Sequence, residues 1–279
     1  MFTETDLPLP DGRTLHVYDA GGPGLPVFWQ HGTPNIGTPP APLLDTAERL
    51  GLRWVGHDRP GYGGSSPQPG RTVAAAAADV AAVADALGVD RFAVMGHSGG
   101  GPHALACAAL LPGRVVAAVA ASGPAPYDAA GLDYFAGMAE AGVASMTAAA
   151  AGREAREALG ASGVEADFGF TPGDEEALGG RWAWFLDVVR PALAAGPAAM
   201  IDDDLAAAAP WGFTPEQVAV PVLLLHGEAD RVVPAAHGTW LARHLPYVEL
   251  RLRPGDGHIT VMDGAQDALA WLAATVAER

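Results

Sequence analysis

The 279 residues carry 32 acidic side chains against 16 basic ones, every basic residue being arginine, for a formal net charge of −16. A field of that sign repels nucleic acid and anionic lipid, so neither is expected as a partner, and a small-molecule substrate is. With 49% hydrophobic and 17% charged residues the makeup is that of a well-buried globular protein, long enough for one α/β domain with an insertion.

Residues 1–6 lack the basic start and apolar run of a signal peptide. Asp79 and Asp85 interrupt the longest Ala-rich stretch, so no run of about 18 apolar residues forms and a cytoplasmic enzyme is expected. Strand candidates at 2–7 and 13–19 flank the turn signal Pro10-Asp11-Gly12 and predict an antiparallel hairpin at a sheet edge. Short apolar runs follow at 26–30, 53–57, 91–95, 115–121, 221–226 and 247–252. Helical stretches at 72–87, 100–111, 235–245 and 262–277 separate most of them. Buried strands alternating with helices predict an α/β fold: an eight-stranded, mostly parallel sheet with helices on both faces. Cys107, the sole cysteine, lies in an apolar helical stretch, excludes an intrachain disulfide and reads as packing.

Between 123 and 219 the alternation stops, and Ala/Gly-rich helical patches surround an aromatic cluster at Trp182, Trp184 and Phe185. This predicts a helical cap at 124–217, inserted between core segments 1–123 and 218–279. The run Asp202-Asp203-Asp204 reads as a solvated charge patch, and without His or Cys at ligand spacing no metal site is expected.

Gly96-His97-Ser98-Gly99-Gly100 is a G-x-S-x-G between a strand and a helix with Pro102 in its first turn. In a chain with 36 glycines the five residues alone are a weak signal; the flanking strand and helix make it specific. A strained strand-to-helix turn needs glycines two before and two after the serine, and it presents the hydroxyl outward. The next N–H, that of Gly99, then lies at a helix N-terminus, where the dipole favours a developing oxyanion. Gln30-His31-Gly32-Thr33-Pro34 ends an earlier strand, and the Thr33 N–H is the candidate second donor.

Together with Asp58-Arg59-Pro60-Gly61-Tyr62-Gly63-Gly64-Ser65, these motifs resemble the α/β-hydrolase superfamily from about residue 13 onward. The resemblance implies a cofactor-free serine hydrolase with chain order Ser, acid, His, and a structural role for Asp58. The two missing members are then Asp230, in His226-Gly227-Glu228-Ala229-Asp230, and His258, in Pro254-Gly255-Asp256-Gly257-His258. Loops after three parallel strands converge at the carboxyl end of the sheet. His258 becomes the general base for Ser98, and Asp230 orients it. Asp128, Asp256 and Glu228 stay open as alternative acids. His31, Gly32, His97, Trp182, Trp184 and Phe185 are candidate pocket residues, the three aromatics also reading as cap core. Serine at the elbow argues for acyl chemistry on an ester, lactone or thioester of a small to medium apolar acid. A carbon–carbon bond hydrolase, a cofactor-free haloperoxidase or perhydrolase, and a non-catalytic binding protein on the same fold are the alternatives. Oligomeric state is not legible.

Overall fold

The computed structural model describes residues 2–163 and 167–277. Its first elements are β1 (Thr3–Pro8), β2 (Thr14–Asp19), β3 (Leu25–Gln30), α1 (Leu44–Arg49) and β4 (Leu52–His57). They are followed by α2 (Ala75–Ala86), β5 (Phe92–His97), α3 (Gly100–Leu110) and β6 (Val115–Ala121). Five helices come next: α4 (Glu140–Ala151), α5 (Arg153–Ala161), α6 (Pro172–Leu178), α7 (Trp184–Ala192) and α8 (Ala198–Ala208). The chain closes with β7 (Val222–Gly227), α9 (Ala235–His244), β8 (Val248–Arg253) and α10 (Ala265–Ala277). The expected cap span 124–217 holds the five helices, and its residues 164–166 lie outside those described.

The eight strands form one sheet in the order β1-β2-β4-β3-β5-β6-β7-β8. Only β1 with β2 and β2 with β4 pair antiparallel. All other pairings are parallel, so the expected edge hairpin joined to a parallel sheet is what forms. Strands β5 and β6 are buried along their whole length, as strands covered on both faces must be. The connections leaving β3 and β5 run in opposite directions across the sheet. Their carboxyl ends therefore flank a crevice at the switch point, where open α/β sheets bind ligands.

Side-chain alternation along the strands splits the apolar core in two. Phe28, Val55 and Val94 pack with Val80 and Val83 of α2, Leu105 of α3 and Leu241 of α9. Val27, Trp29 and Met95 point the other way, against Ala47 of α1, Leu269 and Leu272 of α10, and Trp184 and Phe185 of α7.

Two helices start later than the sequence pattern predicts. The Ala74 N–H donates to the Trp211 carbonyl at 2.9 Å, so α2 begins only at Ala75. Residues Thr260–Gly264 wind as a 3-10 turn before α10. Helix α1 has no counterpart among the expected elements, because six residues are too few to show a period.

The Asp202-Asp203-Asp204 run corrects the reading of a solvated patch. Helix α8 turns Asp203 inward, where it accepts from Arg59 at 2.6 Å, Arg71 at 2.7 Å and the Tyr62 hydroxyl at 2.9 Å. Asp202 pairs with Arg71 at 3.3 Å and with Arg153, and Asp204 pairs with Arg156 at 2.7 Å. Buried carboxylates persist only when paired and hydrogen-bonded, and Arg59 and Arg71 after β4, with Arg153 and Arg156 of α5, supply the partners. Burial alone would raise the Asp203 carboxyl; Arg59 and Arg71 hold it well below the usual range.

Candidate active site

The turn after β5 places Ser98 at φ 55, in the left-handed region that side chains avoid. Tight contacts enforce that turn. A Cβ on Gly96 would lie 2.2 Å from the Gly100 carbonyl oxygen, and one on Gly100 would lie 1.9 Å from that of Gln30. The Ser98 N–H donates to the Ala121 carbonyl at 2.9 Å, which ties the elbow to the end of β6.

Gly99, the N-cap of α3, approaches the turn after β3. A Cβ on it would sit 2.6 Å from Thr33 Oγ1 and 3.5 Å from the Thr33 nitrogen. The two candidate oxyanion donors are thus neighbours beside the Ser98 hydroxyl. Arg59 braces the Thr33 turn: its side chain donates to the carbonyls of His31 and Gly32 and to Thr33 Oγ1 at 3.1 Å. Thr33 in turn donates its hydroxyl to Asp203 Oδ2 at 2.7 Å, linking the turn to α8. His103 Nδ1 donates to the Gly99 carbonyl at 2.7 Å.

The loops after β7 and β8 bring in the candidate acid and base. Ser98 Oγ lies 2.9 Å from His258 Nε2, and His258 Nδ1 lies 2.8 Å from Asp230 Oδ2. The second Asp230 oxygen accepts the N–H groups of Val232 and Val233, each at 2.9 Å. Burial would raise the Asp230 carboxyl, but the adjacent His258, its hydrogen bond and the Val233 N–H outweigh it and hold the group at about 2. Asp230 is therefore a carboxylate throughout the neutral range, fixed in rotation by two amides and aimed at one imidazole nitrogen. The other candidate acids stand elsewhere: Asp128 and Glu228 are exposed, and Asp256 pairs with Arg253. Asp58 accepts from the Gly37 N–H at 2.6 Å and the Gly64 N–H at 2.9 Å, a loop-holding role.

The expected pocket residues are all buried. His31 is fully buried; its Nδ1 donates to the Gly32 carbonyl at 2.8 Å and its Nε2 accepts the Arg59 N–H at 2.9 Å. Trp184 packs edge-on to Trp29 at 6.2 Å, and Trp182 donates its indole N–H to Asp263 at 2.7 Å. Phe185 lies 5.2 Å from the His97 ring, which is itself 4.9 Å from that of His258. His97 Nε2 donates to the His258 carbonyl at 2.9 Å, so His97, with Phe185 against it, packs beside the candidate base. The parity of the sheet explains the aromatics, since Trp29 points to the side where Trp184 and Phe185 pack. Gly32 lies beside the nucleophile, its missing Cβ falling 3.5 Å from the Ser98 Cβ.

Six buried histidines share one consequence. Burial pushes His97 and His103 down to about 3, and His57 and His237 down to about 4. It lowers His31 and His226 as well. The unfolded chain takes up these protons near pH 6.5, while the folded chain does not until well below it. Stability is thus complete above pH 6.5 and falls as pH drops toward 4, by up to about 1.4 kcal/mol per unit for each such histidine. Asp204, raised to about 6 by burial against the pull of Arg156, works in the opposite sense, as do Asp58, raised by burial, and His16, raised against burial by its carboxylate neighbours, but these are three groups against six. Urea midpoints measured from pH 8 to pH 4.5 are expected to decline steadily; a flat or rising series refutes the account.

Fold and site together define an α/β-hydrolase. The sequence profile of the alpha/beta hydrolase fold matches residues 26–265, and the chain belongs to that family as one of its enzymes. Over 42 residues it is 48% identical to a pimeloyl-[acyl-carrier protein] methyl ester esterase of Nitrosomonas europaea. That match covers 15% of this chain and 17% of the relative's length. Among solved structures, a hydrolase from Pseudomonas aeruginosa PA01 superposes with a TM-score of 0.74 at 21% identity, covering 98% of both chains. An enol-lactonase from Burkholderia xenovorans LB400 does so at 0.72 and 19% identity, over 98% of this chain and 100% of that one. Among the described residues no helix is long and apolar enough to cross a membrane.

Proposed function

We propose that the enzyme hydrolyses a carboxylic ester, lactone or thioester of a small to medium apolar acid through an acyl-enzyme on Ser98. The observation that carries this reading is the continuous relay from Ser98 Oγ to His258 at 2.9 Å and from His258 to Asp230 at 2.8 Å. As Ser98 Oγ attacks the carbonyl carbon, His258 Nε2 takes its proton, and Asp230 stabilises the imidazolium. The Gly99 and Thr33 N–H groups receive the oxyanion. The imidazolium then protonates the leaving alkoxide. Water, deprotonated by the same nitrogen, attacks the acyl carbon and frees Ser98. The five helices between β6 and β7 act as the cap. Support for an ester over other acyl compounds comes from the Nitrosomonas europaea relative, named for a methyl ester.

The test combines a nitrophenyl acetate burst with covalent capture. A burst of nitrophenol equal to the enzyme concentration, together with fluorophosphonate labelling that maps to Ser98, is the expected result. Labelling of another residue, or turnover without any labelling, defeats the reading. A panel of methyl esters, lactones and thioesters then ranks the substrate class.

A further inference from the structure

The capping carboxylate of α6 is turned away from its own helix and into the histidine loop. Asp174 is fully buried and closes a capping box with Thr171: the Thr171 N–H donates to Oδ2 at 3.0 Å, and the Asp174 N–H to Thr171 Oγ1 at 3.1 Å. The remaining capacity of the carboxylate goes to the segment bearing the base. Oδ2 also accepts the His258 N–H at 3.1 Å. Oδ1 accepts the Ile259 N–H at 2.9 Å, the Thr260 N–H at 2.8 Å and the Thr260 hydroxyl at 3.0 Å. Thr260 Oγ1 meanwhile accepts the Gly257 N–H at 2.7 Å, which closes a ring of hydrogen bonds around the residue before the base.

Gly257 records how closely the carboxylate fits. A Cβ there would stand 2.0 Å from Asp174 Oδ2, and the next two nearest atoms, at 2.7 and 2.8 Å, also belong to Asp174. The contact thus specifies glycine at 257 as well as aspartate at 174. Burial would raise this carboxyl, but the N–H groups of Thr260, Thr171 and Ile259 hold it below the usual range, so it stays charged and accepts at every lone pair.

The geometry points to Asp174 as a positioning residue, which sets the backbone of the histidine loop so that the imidazole of His258 reaches Ser98 and Asp230 together. It touches neither substrate nor the reacting atoms. It acts from the inserted helices, so the insertion helps to build the catalytic centre as well as covering it. Its catalytic consequence rests on the function proposed above; its effect on the imidazole does not.

Asp174→Asn is the informative variant. The amide oxygen can keep the bonds at Oδ1, while the NH₂ group opposes the N–H groups of Thr171 and His258. A misplacement of about 1 Å at a reacting group costs about 100-fold, so kcat for a nitrophenyl ester is expected to fall by about 10- to 100-fold with KM within twofold. The far-downfield proton resonance of the bond between His258 and Asp230, read by NMR without substrate, is expected to shift or broaden. An unmoved resonance with unchanged kcat overturns the proposal, as does a loss of melting temperature with the resonance in place. Gly257→Ala supplies an arm that leaves the carboxylate chemistry intact. It is expected to reproduce the kcat loss in the wild-type background and to add nothing to Asp174→Ala, where the atoms it would strike are gone. Equal cost in both backgrounds, or failure of all these variants to fold, overturns the proposal. If wild-type enzyme cleaves no ester while the resonance still responds to Asp174→Asn, the functional reading fails and the positioning role stands.

Discussion

Ser98→Ala lowers kcat by about 10⁴- to 10⁶-fold and leaves the fold in place. The variant removes the one atom that forms the acyl bond, and the methyl group fits where the Cβ already sits. The elbow is imposed by its neighbours, through the contacts that exclude a Cβ at positions 96 and 100, so it persists without the hydroxyl. Ser98→Gly provides an internal control. It is equally inactive, yet it relieves the strain of a φ of 55 and melts at a higher temperature than Ser98→Ala. Steady-state hydrolysis and thermal melts on the three proteins check both parts. More than a tenth of wild-type turnover in Ser98→Ala removes that residue from the mechanism.

Asp230→Asn costs about 10⁴-fold in kcat through the tautomer of its neighbour. The carboxylate oxygen that faces Val232 and Val233 accepts two N–H bonds, so the amide oxygen of asparagine is held on that side. The NH₂ group then points at His258 Nδ1 and donates to it. That moves the imidazole proton to Nε2, where it blocks acceptance of the serine proton. The substitution is nearly isosteric, so the crystal structure of the variant should show an unmoved loop and an inactive enzyme. Activity within tenfold of wild type would mean that another group orients the base. Asp128→Asn, by contrast, changes an exposed residue and should be near wild type.

Much of the fold was legible in the residues alone, because six of the strands are short apolar runs and the first two flank a turn signal. All eight lie within two residues of their expected ends. The candidate site was legible for a related reason: each of its residues sits on a loop that directly follows a strand, and the glycines around Ser98 declare the turn. What escaped were relations between distant segments. An Asp-Asp-Asp run looks solvated until Arg59 and Arg71 are seen to reach it from more than 130 residues away. Trp182, Trp184 and Phe185 looked like a pocket because their segment looked like a cap; that they cluster with Trp29 of β3 cannot be read from their own period. Asp174 carried a local signal, the Thr171-Pro172-Gly173-Asp174 capping pattern. That pattern marks a helix start and gives no hint that the same carboxylate reaches His258.

The two outer strands decide how the molecule behaves in a crowded solution. An open sheet ends in rows of unpaired N–H and C=O groups, and a second chain can extend it there. On one side β1 offers Thr3-Glu4-Thr5-Asp6-Leu7-Pro8, with two carboxylates and a terminal proline that has no N–H to give. On the other, β8 alternates Glu249, Arg251 and Arg253 with its apolar residues. Strand-to-strand growth would bring carboxylates together along β1 and meet a missing donor at Pro8, and along β8 it would have to accommodate three charged side chains. The enzyme thus carries its protection against aggregation in the side chains of its edges, leaving the carboxyl ends of the inner strands free for chemistry.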